Sequence, residues 1–274
     1  EFINDSEADY DEFKNKLGLN FINKSCIACH KNNGKGQLPD SLNSNMEDSV
    51  VKIGRDALGN IHESFGSVLQ TDSIEGSPEG NASISNWINE SYSSINNTYN
   101  YNLRRPDYNL PEEIDYYSVR VAPQIWGMGL LEAIDEETIL NLQDPNDNNN
   151  DGISGRINFS IDSEGNYRMG RFGYKASKYS LKQHIASALN TDMGVATELY
   201  PSIDYSAING EEPYLSSEYL DHLYRYIALL ALTPQRDFEN PDVIEGEQIF
   251  NNISCNTCHI DNIETGPHHP LTEL

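Results

Sequence analysis

The four cysteines of the chain stand in two identical motifs near its two ends. Each motif is Cys-x-x-Cys followed directly by histidine: Cys26, Cys29 and His30 in the first, and Cys255, Cys258 and His259 in the second. This pentapeptide is typical of c-type haem attachment, in which two thiols add to the porphyrin vinyl groups and the histidine ligates the iron. The sequence therefore predicts two covalently bound haem c groups, with His30 and His259 as proximal iron ligands.

Three other uses of paired cysteines compete with this interpretation. They are two zinc knuckles, a thioredoxin-like redox pair and structural disulfides. Zinc knuckles usually lie closer together, whereas 225 residues separate Cys29 from Cys255. Neither motif follows a strand in a βαβ pattern, and none of the three explains a histidine at the same place twice.

The net charge of the chain limits the kinds of molecule that we expect it to bind. The chain of 274 residues has 18 basic and 43 acidic side chains, a formal net charge of −25. Such a charge disfavours binding to nucleic acid or to an anionic membrane face. We expect a basic redox partner protein, no nucleic-acid partner and no membrane span, because the longest apolar run has only six residues, at 227–232.

Attachment of haem c takes place outside the cytoplasm, so we expect a periplasmic or extracellular, exported bacterial protein. The first residues, 1–4, have neither the basic nor the apolar part of a signal peptide. We therefore expect the sequence to be a mature or trimmed form.

The predicted fold class is mainly α, with cytochrome c-type haem domains, one small β-hairpin and long irregular loops. Helices are expected at 7–19, 180–189 and 217–232, a hairpin at 156–171, and a surface excursion at 71–102 with one short helix near 85–92. We predict a first haem domain at 1–240 with insertions, and the start of a second at 241–274. Only fifteen residues follow His259, so we expect either a fragment or a second chain or oligomer that completes the second haem pocket.

An asparagine- and aspartate-rich stretch suggests a calcium loop. Oxygen ligands at alternating positions, a turning glycine and a backbone carbonyl match the first half of an EF-hand. The candidate ligands are Asp144, Asp147, Asn149, Asp151 and the carbonyl of Ile153. The match is partial, because position 12 is Asn158, and a solvated turn is the alternative.

A local basic cluster follows this loop. Five of the 18 basic side chains fall between 168 and 182. Haem propionates need such partners, and Arg171 and Lys175 are the candidates. A solvated helix face is the alternative.

Beyond the haem motifs, an ordered set of segments resembles one family. These segments are 17–21, 64–66, 69–70, 120–123, 129–134, 151–156, 170–176 and 192–194. With them the chain resembles the bacterial di-haem oxidoreductases, a peroxidase-like and thiol oxidoreductase-like family that is distantly similar to di-haem cytochrome c peroxidases. The resemblance implies mainly helical haem domains and peroxide or electron-transfer chemistry.

The distal side of each haem decides between these chemistries, because an iron with two protein ligands passes electrons and one with an open site can bind peroxide. Met193 is the first candidate for a sixth ligand, with ordinary core packing as its alternative. The other candidates are His62, His268 and His269. The catalytic residue is left open, with Glu132, Gln124 and Arg120 in a suitable segment for a distal acid or base.

Three functions remain. The first is a di-haem peroxidase-like oxidoreductase, with one haem as reaction centre and the other as electron relay. The second is a non-catalytic multihaem electron-transfer cytochrome. The third is a haem-bearing subunit of a larger extracellular assembly.

Overall fold

The computed structural model describes residues 17–46, 48–93, 100–203 and 214–267. Its helices are α1 (Cys26–Cys29), α2 (Met128–Glu132), α3 (Glu136–Asn141), α4 (Leu181–Met193), α5 (Ser217–Ala228) and α6 (Pro241–Asn252). Its strands are β1 (Asn20–Phe21), β2 (Ser49–Gly54), β3 (Asp72–Ser73), β4 (Ser83–Ser93), β5 (Asn100–Asn109), β6 (Tyr116–Val121), β7 (Phe159–Ile161) and β8 (Tyr167–Met169). Single 3-10 turns are present at Lys31–Asn33 and Cys255–Thr257.

The prediction of a mainly α fold is wrong. Helices account for 25% and strands for 22% of the residues that the structure describes, so the fold mixes the two. The largest error lies at 85–92, where the predicted helix is the middle of β4. Serine and asparagine disfavour helix interiors, and the Ile88, Trp87 and Tyr92 side chains among them favour a strand that can pair with β5.

The strands pair in four two-stranded antiparallel sheets: β1 with β3, β2 with β6, β4 with β5, and β7 with β8. The β7–β8 pair is the hairpin predicted at 156–171, with Phe159 opposite Met169. Two predicted helices are also present, as α4 and α5, while residues 17–19 of the helix predicted at 7–19 are not helical and 7–16 lie outside the described residues.

The chain divides into two compact units. The first takes its described residues from 1–125 and 185–221, and the second from 126–184 and 222–274, so the chain passes between the units within α4 and α5. These units are defined by packing, and the domain boundary predicted between 240 and 241 stays a prediction.

The first unit packs around β2, whose side chains alternate between buried and half-buried positions. The buried cluster consists of Met46, Val51, Ile53, Leu69, Ala82 and Ile114. Val51 and Ile53 are β-branched, which suits a half-buried pleated strand. This cluster supports β6, which leads directly into residues 122–125 beside the first Cys-x-x-Cys-His motif.

The second unit contains α2, α3, the β7–β8 hairpin and α6. Gly129 of α2 lies against Ala228 at the end of α5, where an added Cβ would lie 2.2 Å from the carbonyl oxygen of Ala228. The close approach explains why a residue without a side chain stands there. Within the described ranges, no helix combines the length and the apolar character needed to cross a membrane.

Candidate haem-attachment sites

The first Cys-x-x-Cys-His motif is a single helical turn. Cys26 and Cys29 begin and end α1, and the His30 N–H donates to the carbonyl of Cys26 at 2.9 Å. A spacing of three residues in a helix puts both side chains on one side of the turn. Neither cysteine forms a disulfide, so this turn can present both thiols to one planar group.

The ring of His30 is fixed by a backbone group far along the chain. Its Nδ1 lies 2.5 Å from the carbonyl oxygen of Pro123. A carbonyl oxygen only accepts, so Nδ1 carries a proton, and in the neutral ring Nε2 then keeps its lone pair. Histidines that bind metals usually donate their other ring N–H in this way.

Three backbone hydrogen bonds hold the Pro123 segment in this position. The Gly36 N–H donates to the carbonyl of Ala122 at 2.9 Å, and the Ala122 N–H donates to the carbonyl of Asp48 at 3.0 Å. On the other side of Pro123, the Ile125 N–H donates to the carbonyl of Asn33 at 3.0 Å. Residues 33–36, which follow the motif, are therefore hydrogen-bonded to residues 122–125, which follow β6.

Asp48 is buried, and its carboxylate contacts two residues that follow the first motif. Its side chain is 5% exposed, and Oδ1 forms an ion pair with Nζ of Lys31 at 3.0 Å. Its Oδ2 accepts the Gln37 N–H at 3.2 Å. Lys31, which directly follows the predicted iron ligand, is therefore ion-paired with the carboxylate that also accepts the backbone N–H of Gln37.

The electrostatics of the motif keep its second thiol neutral. Burial, then the carboxyls of Asp192 and Asp48, raises the pKa of Cys29 to about 11. Burial also raises the pKa of Asp192, while Lys52 and His30 favour its ionised form. A redox-active thiol needs a lowered pKa, so these surroundings do not suit a thioredoxin-like pair.

The candidate sixth ligands lie in different settings. Met193 is buried, and its carbonyl accepts the Gly18 N–H at 2.9 Å, which puts its backbone beside the lead-in to the first motif. His62 is half-buried, and its Nδ1 accepts the Ser64 N–H at 3.2 Å. In a neutral ring Nε2 then carries the proton, which is unfavourable for iron binding through that nitrogen. His268 and His269 lie outside the described residues.

The second motif follows α6. Pro241 occupies the first turn, and the side chain of Asn240 caps it by accepting the Asp242 N–H. The His259 N–H donates to the carbonyl of Cys255 at 2.9 Å, and the His259 ring centroid lies 6.1 Å from that of Phe250. The lead-in helix thus brings an aromatic ring beside the predicted ligand.

The surface of this second motif is open. Cys258 and His259 are exposed, and α6 buries none of its residues. Ile244, Ile249 and Ile253 are all exposed. The motif has the residues that a covalent haem requires, and apolar side chains beside it that a porphyrin could cover.

The calcium candidates form a turn stabilised by their own carboxylates. Asp147 accepts the Gly152 N–H at 3.2 Å, and Asp151 accepts the Ile153 N–H at 2.8 Å. Asp144 accepts the Asn148 N–H at 2.9 Å. Across the described ranges, no group of three or more histidine, cysteine, aspartate or glutamate side chains could hold a metal ion. The calcium site remains a prediction.

The two propionate candidates differ. Arg171 is half-buried, and its Nη1 donates to the carbonyls of Glu132 at 3.0 Å and of Ile134, so its guanidinium fastens the end of α2. Lys175 is exposed, and its Nζ lies 5.7 Å from the centroid of the Tyr174 ring. Their role toward a haem stays a prediction.

The carboxylate of Glu132, a candidate distal acid or base, accepts two hydrogen bonds. Oε1 accepts the Leu181 N–H at 2.9 Å, and Oε2 accepts the hydroxyl of Tyr224 at 2.8 Å. The carboxylate thereby joins α2 to the start of α4 and to α5. Gln124 is exposed and Arg120 is half-buried.

Sequence reasoning missed the residues that surround the first motif. Pro123, Asp192 and Gln70 lie in segments that carried the family resemblance, which was the only signal available for them. Nothing in the local pattern distinguishes Asp48 or Glu79 from the other 41 acidic residues of the chain.

Comparison with known proteins identifies the family. A family model described as "Di-haem oxidoreductase, putative peroxidase" matches residues 106–271, more than half of the chain. The chain belongs to this family. The matched range of the di-haem oxidoreductase family includes the second motif, whereas the first motif lies before it. No curated protein and no solved structure gives a significant match.

The family implies two haem groups, and the donor sets fit them. The first motif has two neutral or exposed thiols on one helical turn and a histidine whose Nε2 is left for a metal. The second has the same residue types with an aromatic neighbour. The residues present at both motifs can therefore hold the haem groups that the di-haem oxidoreductase family implies.

Proposed function

We propose that the chain is an extracytoplasmic di-haem c-type cytochrome with peroxidase-like oxidoreductase activity. One haem is the reaction centre and the other relays electrons. Cys26 and Cys29 attach the first haem with His30 as its ligand, and Cys255 and Cys258 attach the second with His259.

The hydrogen bond between His30 Nδ1 and the Pro123 carbonyl carries this proposal. It selects the tautomer whose Nε2 can bind a metal, and it holds the ring in one orientation. The bond also makes the imidazole a stronger electron donor. Because the partner is a backbone oxygen, this effect does not depend on a side chain that could titrate.

When bound, haem supplies one-electron chemistry and, where its distal position is open, a site for peroxide. The chain's own contribution is to orient the proximal imidazole and to surround the motif with residues 17–22, 122–125 and 191–193. Arg171 and Lys175 stay the candidates for propionate contacts, and the catalytic acid or base is not assigned.

A purely electron-transferring cytochrome is the second candidate. It is favoured by Met193, which is buried and lies next to Asp192, a residue whose carboxyl interacts with His30. If the Met193 sulfur is the sixth ligand of the first haem, that haem has two protein ligands and passes electrons only. A protein that only transfers electrons also requires two protein ligands at the second haem.

Optical and EPR spectra of the purified holoprotein, recorded with and without hydrogen peroxide, test the function. A peroxidase-like enzyme has at least one haem whose spectrum changes on addition of peroxide and which turns over with an electron donor. Two low-spin haems that ignore peroxide in every oxidation state leave the electron-transfer cytochrome and contradict the enzyme.

The proposal includes a basic redox partner protein and a second chain or oligomer that covers the second haem. The net charge of −25 supports the first part. The exposed isoleucines around α6 support the second. Association rates measured at increasing ionic strength, and sedimentation of the holoprotein, test these two parts.

A further inference from the structure

Gln70 connects a half-buried carboxyl to the polypeptide beside the first motif. The residue is 1% exposed. Its backbone N–H donates to Oε2 of Glu79 at 2.9 Å, and its backbone carbonyl accepts the Glu79 N–H at 3.1 Å. Its side-chain Nε2 donates to the carbonyl of Thr191 at 2.7 Å. One residue therefore touches both Glu79 and Thr191.

The connection continues to the motif. The Thr191 hydroxyl lies 2.7 Å from Oδ1 of Asp192. The Asp192 carbonyl accepts the Ile22 N–H at 2.8 Å. The Asp192 carboxyl also interacts electrostatically with His30 and with the thiol of Cys29. A displacement of residues 191–193 would therefore change the electrostatic interaction between Asp192 and His30, the predicted iron ligand.

The side chain of Gln70 is not explained by packing alone. Its Oε1 is buried and makes no hydrogen bond to any described residue. A buried carboxamide with an unpaired oxygen costs stability, and an apolar side chain of the same length would avoid that cost. What the amide provides is the bond to Thr191.

Glu79 has surroundings that let its charge change near neutral pH. Burial raises its pKa to about 7, although the hydrogen bond from the Gln70 N–H favours the ionised form. No charged side chain in the described part of the chain contributes to this shift. At the other end of the connection, Asp192 faces Lys52, His30, Cys26 and Cys29.

We propose that Gln70 and Glu79 form a proton-linked positioning pair for the first haem, through which the charge on Glu79 sets the reduction potential of the iron bound by His30. The pair rests on the proposed function, because it requires haem at Cys26 and Cys29. Neither residue contacts the reacting atoms, so both act through the segment 191–193.

The electron and proton balance is simple. An external one-electron reductant takes the iron from the ferric to the ferrous state, and the Glu79 carboxylate takes up one proton from solvent when it is ionised beforehand. A negative charge on Glu79 stabilises the ferric state. The potential therefore falls as pH rises through the pKa of Glu79, and reduction of the iron raises that pKa.

The test is a spectroelectrochemical titration of the full-length holoprotein between pH 5 and 9. The wave that disappears in the Cys26→Ser/Cys29→Ser variant is assigned to the first haem. Glu79→Gln removes the titrating charge without a change of shape. Glu75→Gln is the matched control, because Glu75 lies nearby in sequence and is exposed. Gln70→Met removes the hydrogen bond to the carbonyl of Thr191. If the Gln70→Met protein does not accumulate, Gln70→Asn replaces it, because the shorter amide does not reach Thr191.

We expect the wild type and Glu75→Gln to show a potential that falls between about pH 6 and 8. Glu79→Gln shows no step in that window and stays at the low-pH potential. Gln70→Met loses more than half of the step. The proposed pair is refuted if Glu79→Gln keeps the pH-dependent change of the potential, or if the wild type shows no such change. The role of Gln70 is refuted if Gln70→Met keeps the full change. Absence of haem at Cys26 and Cys29, seen by intact mass, instead refutes the proposed function and the pair together.

Discussion

The Nδ1 of His30 and the carbonyl oxygen of Pro123 lie 2.5 Å apart, although 92 residues separate them in the chain. This contact depends on close backbone pairing at Gly36. A Cβ at Gly36 would lie 2.8 Å from both the Cβ and the carbonyl oxygen of Asp48, and 3.0 Å from the carbonyl oxygen of Cys29. The glycine is therefore part of what positions the predicted ligand.

Gly36→Ala should destabilise the protein by roughly 1–3 kcal/mol, the usual cost of overpacking a tight site. The neighbours are backbone and a buried side chain, which cannot move aside easily. Chemical denaturation followed by circular dichroism measures the change. Gly246→Ala is the control, since an added Cβ in α6 meets nothing within 4 Å, and alanine there should stabilise by about 0.5–1 kcal/mol. Equal effects from the two substitutions would contradict the packing around Gly36.

The two Cys-x-x-Cys-His motifs can be recognised from the sequence because their residues are adjacent in the chain. Their attachment of haem stays a prediction. The partner of His30 is not local: Pro123 reaches it only because β6 pairs with β2 and the following backbone pairs with residues 33–36. No periodicity in the sequence reports such a contact.

The strand content was missed for a related reason. Ser83–Ser93 has no apolar stripe that distinguishes a strand from a loop, and its stability comes from pairing with Asn100–Asn109. Cross-strand contacts such as the Ser91 hydroxyl with the Asn102 side chain, at 2.7 Å, are visible only once the register is known. The amphipathic helix α5 buries one face and was therefore predictable.

Glu132 should contribute to stability through both of its carboxylate oxygens. Glu132→Ala leaves the Leu181 N–H and the Tyr224 hydroxyl without this acceptor, and we expect a loss of about 2–4 kcal/mol. Tyr224→Phe removes one of the two bonds and should cost about 1 kcal/mol. A double-mutant cycle on unfolding free energies measures their coupling. If the two losses simply add, the hydrogen bond between these side chains does not stabilise the fold.

Glu79 should make the protein less stable as pH rises toward neutrality. Its folded-state pKa, about 7, lies above the ordinary value of 4.5. Between these values the folded state holds more protons than the unfolded state, so the free energy of unfolding falls as pH increases. After allowance for the partial exposure of the carboxyl, the effect is on the order of 1 kcal/mol.

Glu79→Gln should therefore flatten the stability profile between about pH 4.5 and 7 and leave the protein more stable than wild type at pH 7. Urea unfolding at a series of pH values measures this, with Glu75→Gln as control. A profile of Glu79→Gln that parallels the wild type would show that the carboxyl titrates normally.

Calcium binding at 144–155 is tested by ligand linkage. If the loop binds Ca²⁺, millimolar Ca²⁺ should raise the midpoint of thermal unfolding relative to a chelator, and Asp151→Asn should remove most of the rise. Mg²⁺ at the same concentration serves as the control for general screening of charge. An unchanged midpoint in Ca²⁺ supports the alternative of a turn stabilised by its own carboxylates.

The central claim is that both Cys-x-x-Cys-His motifs carry covalent haem. Intact-mass spectrometry of the full chain, produced in a host with cytochrome c maturation machinery, tests it most directly. We predict a mass equal to the polypeptide plus two haem groups, reduced by one haem in Cys26→Ser/Cys29→Ser and by one in Cys255→Ser/Cys258→Ser. A wild-type mass equal to the bare polypeptide, or one that is unchanged in either double variant, would contradict the account.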